Sequence, residues 1–143
     1  MNGDEIGARC LKLCREVLWN GSDLQAPYSL RGAFLRLRPG SEFPAVVRHP
    51  LYVYVEYYGS AGEYDVWVDL VRLVVDNDGD VIDESEEASY GPYSLELLPD
   101  LFVQGRSYVL RMLPLSEPGV YELRLRVGGV DHHLISERFI VEE

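Results

Sequence analysis

From Tyr121 to Val127 every second residue is apolar: Tyr121, Leu123, Leu125 and Val127 alternate with Glu122, Arg124 and Arg126. Side chains on a strand point alternately to opposite faces, so this period of two predicts a β-strand with one face on a core and one in water. Pro118-Gly119 before it and Gly128-Gly129 after it are turn residues. The other segments make most sense as partners for this strand. Leu51 to Tyr58 carries β-branched or aromatic residues at almost every position, and Tyr64 to Val75 is the longest strand candidate. Within it Val66, Val68 and Leu70 share one parity, whereas Val71, Leu73 and Val75 share the other. That change predicts a bulge.

Turn chemistry divides the rest. Residues 6–18 fit two elements: Ile6, Cys10, Leu13, Cys14 and Val17 recur at helical spacing, while Leu11 and Leu13 with Lys12 and Arg15 fit a strand edge. Asn20-Gly21 closes whichever forms. Tyr28 to Arg38 reads as one strand, with Ala33, Leu35 and Leu37 alternating with Phe34, Arg36 and Arg38 before Pro39-Gly40. Pro44 and Pro50 bracket a connector, and Gly59-Ser60-Ala61-Gly62 is a loop. Asp76-Asn77-Asp78-Gly79-Asp80 signals a hairpin, because Asn, Asp and Gly tolerate the positive φ of tight turns. Val81 and Ile82 are expected to resume pairing briefly before an acidic run through Glu87. Tyr90-Gly91-Pro92-Tyr93 and Leu98-Pro99-Asp100 read as loops, leaving Ser94 to Leu97 at most a short strand. Phe102-Val103 and Ser107 to Leu113, with Tyr108, Leu110 and Met112 on one side, supply another strand, and Leu134 to Val141 the last.

Roughly seven to nine short strands with at most one short helix describe an all-β fold, an antiparallel two-sheet sandwich of Ig-like or jelly-roll-like kind. At 143 residues, 47% of them apolar, the expectation is a single domain over residues 1–143. Folding at that size hides about two-thirds of the unfolded surface, so no metal or disulfide is needed. A formal charge of -11 argues against a nucleic-acid binder and against docking on anionic membranes, which both attract basic segments. Met1-Asn2-Gly3-Asp4-Glu5 lacks the cationic lead of a signal peptide, and no stretch approaches the roughly 18 apolar residues of a membrane span. Cys10 and Cys14 are too few for a disulfide framework. A cytoplasmic, reduced protein is the expectation.

Leu11-Lys12-Leu13-Cys14-Arg15-Glu16, Leu30-Arg31-Gly32-Ala33-Phe34, Glu42-Phe43-Pro44-Ala45 and His49-Pro50-Leu51 follow one another in an order that resembles a bacterial family of uncharacterised β-sandwich proteins. Asp76-Asn77-Asp78-Gly79 and Pro118-Gly119-Val120-Tyr121 are similar to that family's central hairpin and penultimate strand. This chain departs in having Arg15-Glu16 where an Asp is usual, and in the acidic insert after the hairpin. The resemblance implies a strand for the N-terminal segment and carries no activity.

The sharpest candidate site is an aromatic face. With Leu51, Val53 and Val55 on one side of their strand, Tyr52, Tyr54, Glu56 and Tyr58 lie on the other; Val66 and Val68 likewise leave Asp65, Trp67 and Asp69 opposite. Pairing of the two strands as a hairpin across Gly59 to Gly62 would merge these residues into one surface. Flat rings beside carboxylates suit sugar stacking or a protein-binding hot spot, and they equally suit ordinary cross-strand packing. The acidic run from Asp76 to Glu87 invites calcium, but its Gly79 falls at the fourth place where a helix-loop-helix calcium loop needs the sixth. A solvated loop that repels edge-to-edge association is the plainer reading. His132 and His133 point to opposite faces if on a strand, and Cys10 and Cys14 lack partners at zinc spacing, so no metal and no cofactor is expected. No serine elbow or phosphate loop is present. The expected role is therefore a binding domain without catalysis, its partner another protein or a second copy in a homodimer, with a carbohydrate ligand as the alternative.

Overall fold

The computed structural model describes residues 6–19, 28–31, 36–99 and 103–143. Asn20-Gly21, residues 32–35 of the Tyr28-to-Arg38 reading, Asp100 and Phe102 lie outside them. The chain runs β1 (Ile6–Cys14), β2 (Glu16–Trp19), β3 (Tyr28–Arg31), β4 (Arg36–Leu37), β5 (Ala45–Val47) and β6 (Leu51–Gly59). It continues through β7 (Gly62–Val75), β8 (Val81–Leu97), β9 (Gln104–Leu110), β10 (Leu113–Leu115), β11 (Gly119–Val127) and β12 (Ile135–Val141). One sheet has the order β1-β6-β9, the other β4-β12-β11-β7-β8; β5 pairs with β10, and β2 with β3. All pairs are antiparallel except β12 with β4. Among the described residues no helix is long and apolar enough to cross a membrane.

The period of two explains the core. Tyr121, Leu123, Leu125 and Val127 of β11 are buried, as are Val66, Val68 and Leu70 of β7 beside them and Leu51, Val53, Val55 and Tyr57 of β6. All belong to one apolar cluster that also takes in Leu11 and Leu13 of β1. The N-terminal segment is thus strand rather than helix, divided between β1 and β2. At one flank the two sheets are tied by side chains: the Tyr93 hydroxyl donates to the Val109 carbonyl and Tyr90 to that of Arg111, each at 3.2 Å. Beneath them the Tyr57 and Tyr108 hydroxyls bond to each other at 2.8 Å.

Several expectations are corrected. β6 and β7 do not pair: β6 lies between β1 and β9, β7 between β11 and β8. Gly59-Ser60-Ala61-Gly62 carries the chain from one layer to the other. A hairpin would have set both valine faces side by side in one sheet, whereas the crossing lets them share the core between two. Asp76 to Asp80 form the expected turn, whereas Val81 to Glu87 and Tyr90-Gly91-Pro92-Tyr93 are not loops but parts of the 17-residue β8. Its register against β7 slips at three places, and each time the extra residue is on β8: Ile82, Glu87, and the Gly91-Pro92 pair opposite Trp67. Gly91 has φ +130°, and a Cβ there would sit 2.6 Å from the Val66 carbonyl oxygen, so glycine lets this bulge form. β7 itself is unbroken against β11 from Val66 to Leu73, so the expected bulge in β7 belongs to its neighbour.

Ser107 to Leu113 is not one strand. Met112 has φ 55° and is exposed, and the chain bends there, so β10 leaves the line of β9 and pairs with β5. Leu51 opposes Leu110 before the bend and Val47 opposes Leu113 after it. β5–β6 and β9–β10 are therefore two long lines, each broken once, and the Pro44-to-Pro50 connector contributes strand β5. Residues 28–31 and 36–37 likewise serve different sheets.

Candidate functional site

The face of the five-stranded sheet turned away from the core is a lattice of ion pairs. Arg126 grips Asp69 through Nε at 2.9 Å and Nη2 at 3.3 Å, the Ser89 hydroxyl donates to the same carboxylate at 2.7 Å, and the Arg126 guanidinium lies 4.5 Å from the Trp67 ring centre. Arg124 bonds Glu122 at 2.6 Å and takes Glu84 with both terminal nitrogens at 2.6 and 3.1 Å, while Arg138 holds the other Glu122 oxygen at 3.0 Å. Register fixes the path of Arg124: it opposes Asp69 on β7, and Glu84 on β8 opposes Leu73. Its side chain must cross β7 diagonally to reach Glu84. Val71 and Leu73, on this outer side, are buried all the same, and the arginine stem is the cover the geometry provides.

The candidate residues are therefore divided. Asp65, Trp67 and Asp69 lie on this lattice; Tyr52, Tyr54, Glu56 and Tyr58 lie on the outer side of the other sheet, across the whole core. The expected single surface does not exist. Asp69 is buried and fully engaged, and Trp67 sits half-buried beside a guanidinium. Tyr54 is buried, with its hydroxyl on Glu56 at 2.9 Å, and Arg9 takes the other Glu56 oxygen at 3.0 Å. Of the four, Tyr58 alone is open, 48% exposed. Parity along each strand was readable from the sequence, but which sheet a strand joins was not.

The chemistry of these groups is that of held charges. Burial pushes the Asp69 carboxyl up, but the hydrogen bonds of Arg126 and Ser89 outweigh it and leave the group below the usual carboxylate range. Glu122 follows the same pattern, burial opposed and exceeded by Arg124 and Arg138. Ser89, Asp69 and His133 are the residue types of a hydrolytic triad in the wrong order. The serine donates to the carboxylate, and His133 stands 4.0 Å from it on the far oxygen, so no imidazole base takes the serine proton. Burial raises the Cys14 thiol to about 11, a poor nucleophile at neutral pH. Among the described residues no group of three or more His, Cys, Asp or Glu is placed to hold a metal.

Depressed carboxylates make stability fall in acid. A group whose folded affinity for protons is lowered contributes stability above its unfolded pKa, and that contribution fades as pH drops through the folded value. Urea midpoints from pH 7 to pH 3 should therefore decline for the parent chain, while Asp69→Asn starts lower and declines less. Parallel curves would detach Asp69 from the acid response.

Exposed strand edges were expected, but not which strand would present one. β8 is the last strand of its sheet, and every residue from Val81 to Glu86 is exposed, Ile82 at 65%. Among the described residues no strand pairs with its outer side. The acidic run lies on this open edge. The alternation that reveals a buried face is absent from an edge exposed on both faces, so periodicity had nothing to report.

No family model matches the chain, and no curated protein does. Distant likenesses occur among solved structures. One is an alkylpurine DNA glycosylase of Pseudomonas fluorescens bound to DNA containing an abasic site analogue, 12% identical over 97% of this chain, with a TM-score of 0.45. An immunoglobulin-like protein from Pseudomonas aeruginosa is 15% identical over 96% of this chain and 97% of its own, with a TM-score of 0.43. A β-glucosidase from Listeria innocua in complex with glucose is 15% identical over 95% of this chain, with a TM-score of 0.44. The chain spans 31% of the glycosylase and 16% of the glucosidase. Likenesses this distant carry no activity, ligand or partner over to it.

Proposed function

We propose that this domain is a non-catalytic interaction module that engages a protein partner through the open edge of β8. The observation that carries the reading is the exposure of Val81 to Glu86 at the end of a five-stranded sheet. Unpaired backbone groups along such an edge are a template for another chain. A second copy is the weaker partner, because two β8 edges laid together would set carboxylate against carboxylate.

Against catalysis stands the direction of the charge shifts: Asp69, Glu84, Glu122 and Glu142 are all held below the usual carboxylate range beside arginines. A glycosidase-type acid needs its proton affinity raised. The carbohydrate reading loses support with the division of the aromatic face. A reduced, cytoplasmic setting fits the free thiols of Cys10 and Cys14. The bacterial family resemblance belongs to the same proposal. Its Phe43-Pro44-Ala45 motif leads into β5 and Pro118-Gly119-Val120-Tyr121 into β11, places where folding alone would favour such residues.

A photo-crosslinking residue at Ile82, in the full chain, should attach to one reproducible segment of a partner protein mapped by mass spectrometry. The same residue at Tyr58 should not. Adducts from position 58 alone, or quenching of tryptophan fluorescence by a glycan, would overturn the assignment.

A further inference from the structure

We infer that the β8 edge selects a basic extended segment, and that Asp83 keeps the edge closed until a cation on that segment draws its carboxylate aside. This inference rests on the reading of the domain as an interaction module and narrows it to a class of partner.

The bulges at Ile82 and Glu87 bound a regular stretch from Asp83 to Glu86. Glu84 and Glu86 oppose Leu73 and Val71 and so lie on the outer face; Asp83 and Ser85 oppose Val74 and Arg72 and lie on the other. An added strand would meet carboxylates on both of its faces. Such a setting refuses acidic or wholly apolar strands and favours Lys and Arg.

The charges are not equally available. Arg124 neutralises Glu84, and Arg72 lies 3.4 Å from Glu87. Among the described residues neither Asp83 nor Glu86 forms an ion pair, but the charge of Glu86 acts on Arg126, which leaves Asp83 as the unmatched carboxylate of the stretch.

The backbone is guarded as well as open. In an antiparallel ladder a residue's amide either bonds the neighbouring strand or points away from it. The Glu84 amide donates to Asp83 Oδ1 at 2.9 Å, which marks it as an outward group already taken. Asp83 is exposed and has no other partner among the described residues, so that bond is its only tether. An ammonium or guanidinium beside it would offer a stronger, charge-assisted bond and release the amide for an incoming carbonyl. Neutral strands offer no such exchange. The device that blocks self-association thus opens to one kind of visitor.

The test uses the intact chain, isotope-labelled, with short synthetic peptides and amide spectra. An alternating Lys-Val peptide should shift the amides of Val81 to Glu86. A Lys-Pro peptide of equal charge, which has no donors at alternate positions, should bind about tenfold more weakly or not at all. The double substitution Asp83→Lys with Glu86→Lys should lose the Lys-Val peptide by about tenfold and gain a Glu-Val one.

Equal binding of the Lys-Val and Lys-Pro peptides would reduce the effect to net charge and overturn the inference. So would shifts elsewhere on the protein, or no binding by either. If a crosslink from Ile82 still reached a partner in that case, the module reading would survive and only the basic strand would fall. Should the double variant not fold, the two peptides on the parent chain decide the matter.

Discussion

Leu123→Ala should lower the unfolding free energy by about 2–5 kcal/mol, enough to take away a large share of the stability of a domain this size. Leu123 is fully buried in the middle of β11, beside Leu70 on one neighbour and opposite Glu137 on the other. It sits where the two sheets press together, so neighbours on both layers would have to move to fill the space its side chain leaves. Cores packed this way relax only in part, and the cavity adds to the lost transfer energy. Urea unfolding reads the loss directly, as a shift in midpoint with the slope unchanged. A midpoint equal to the parent's would remove Leu123 from the core and with it the two-layer arrangement.

The second large effect is expected from a charged residue on the outside. Arg124→Ala should cost about 2–3 kcal/mol, well beyond the usual half kilocalorie for a surface substitution. Two losses combine. Glu122, 8% exposed, keeps Arg138 but loses its closer partner, and a buried carboxylate short of a cation is expensive. Val71 and Leu73 also lose the stem that crosses them, and apolar surface returns to water at about 25 cal/mol per Å². Arg124→Met separates the two, since methionine restores the cover without the charge. It should recover part of the loss. A methionine variant as unstable as the alanine one would mean that Val71 and Leu73 are covered by something else.

Comparison of β11 with β8 shows what this sequence could reveal and what it could not. β11 is buried on one face and carries fixed charges on the other, so its alternation was complete and its core residues could be named outright. Leu51, Val53 and Val55 were legible for the same reason. β8 gives no such signal. It lies at an edge, carries three bulges, and contains Gly91-Pro92, a pair that in most contexts ends a strand. The parity change in β7 had a cause outside the strand: Val71 and Leu73 read as core residues because they are apolar, yet they lie buried on the outer face, along the line from Arg124 to Glu84. The aromatic site failed at the level of pairing. A period of two gives each side chain a face, but only the chain's crossing at Gly59 to Gly62 decides which layer that face belongs to.

The strand order also has a consequence in time. β8 follows β7 directly and can close one side of it at once, but the other side waits for β11, whose first residue Gly119 comes roughly 44 positions after Val75. A ribosome adding about 5–20 residues per second leaves that flank of β7 bare for about 2–9 s. During synthesis the stretch from Val66 to Leu73 therefore waits for its second neighbour about as long as β6 waits for β9, which begins roughly 45 positions after Gly59.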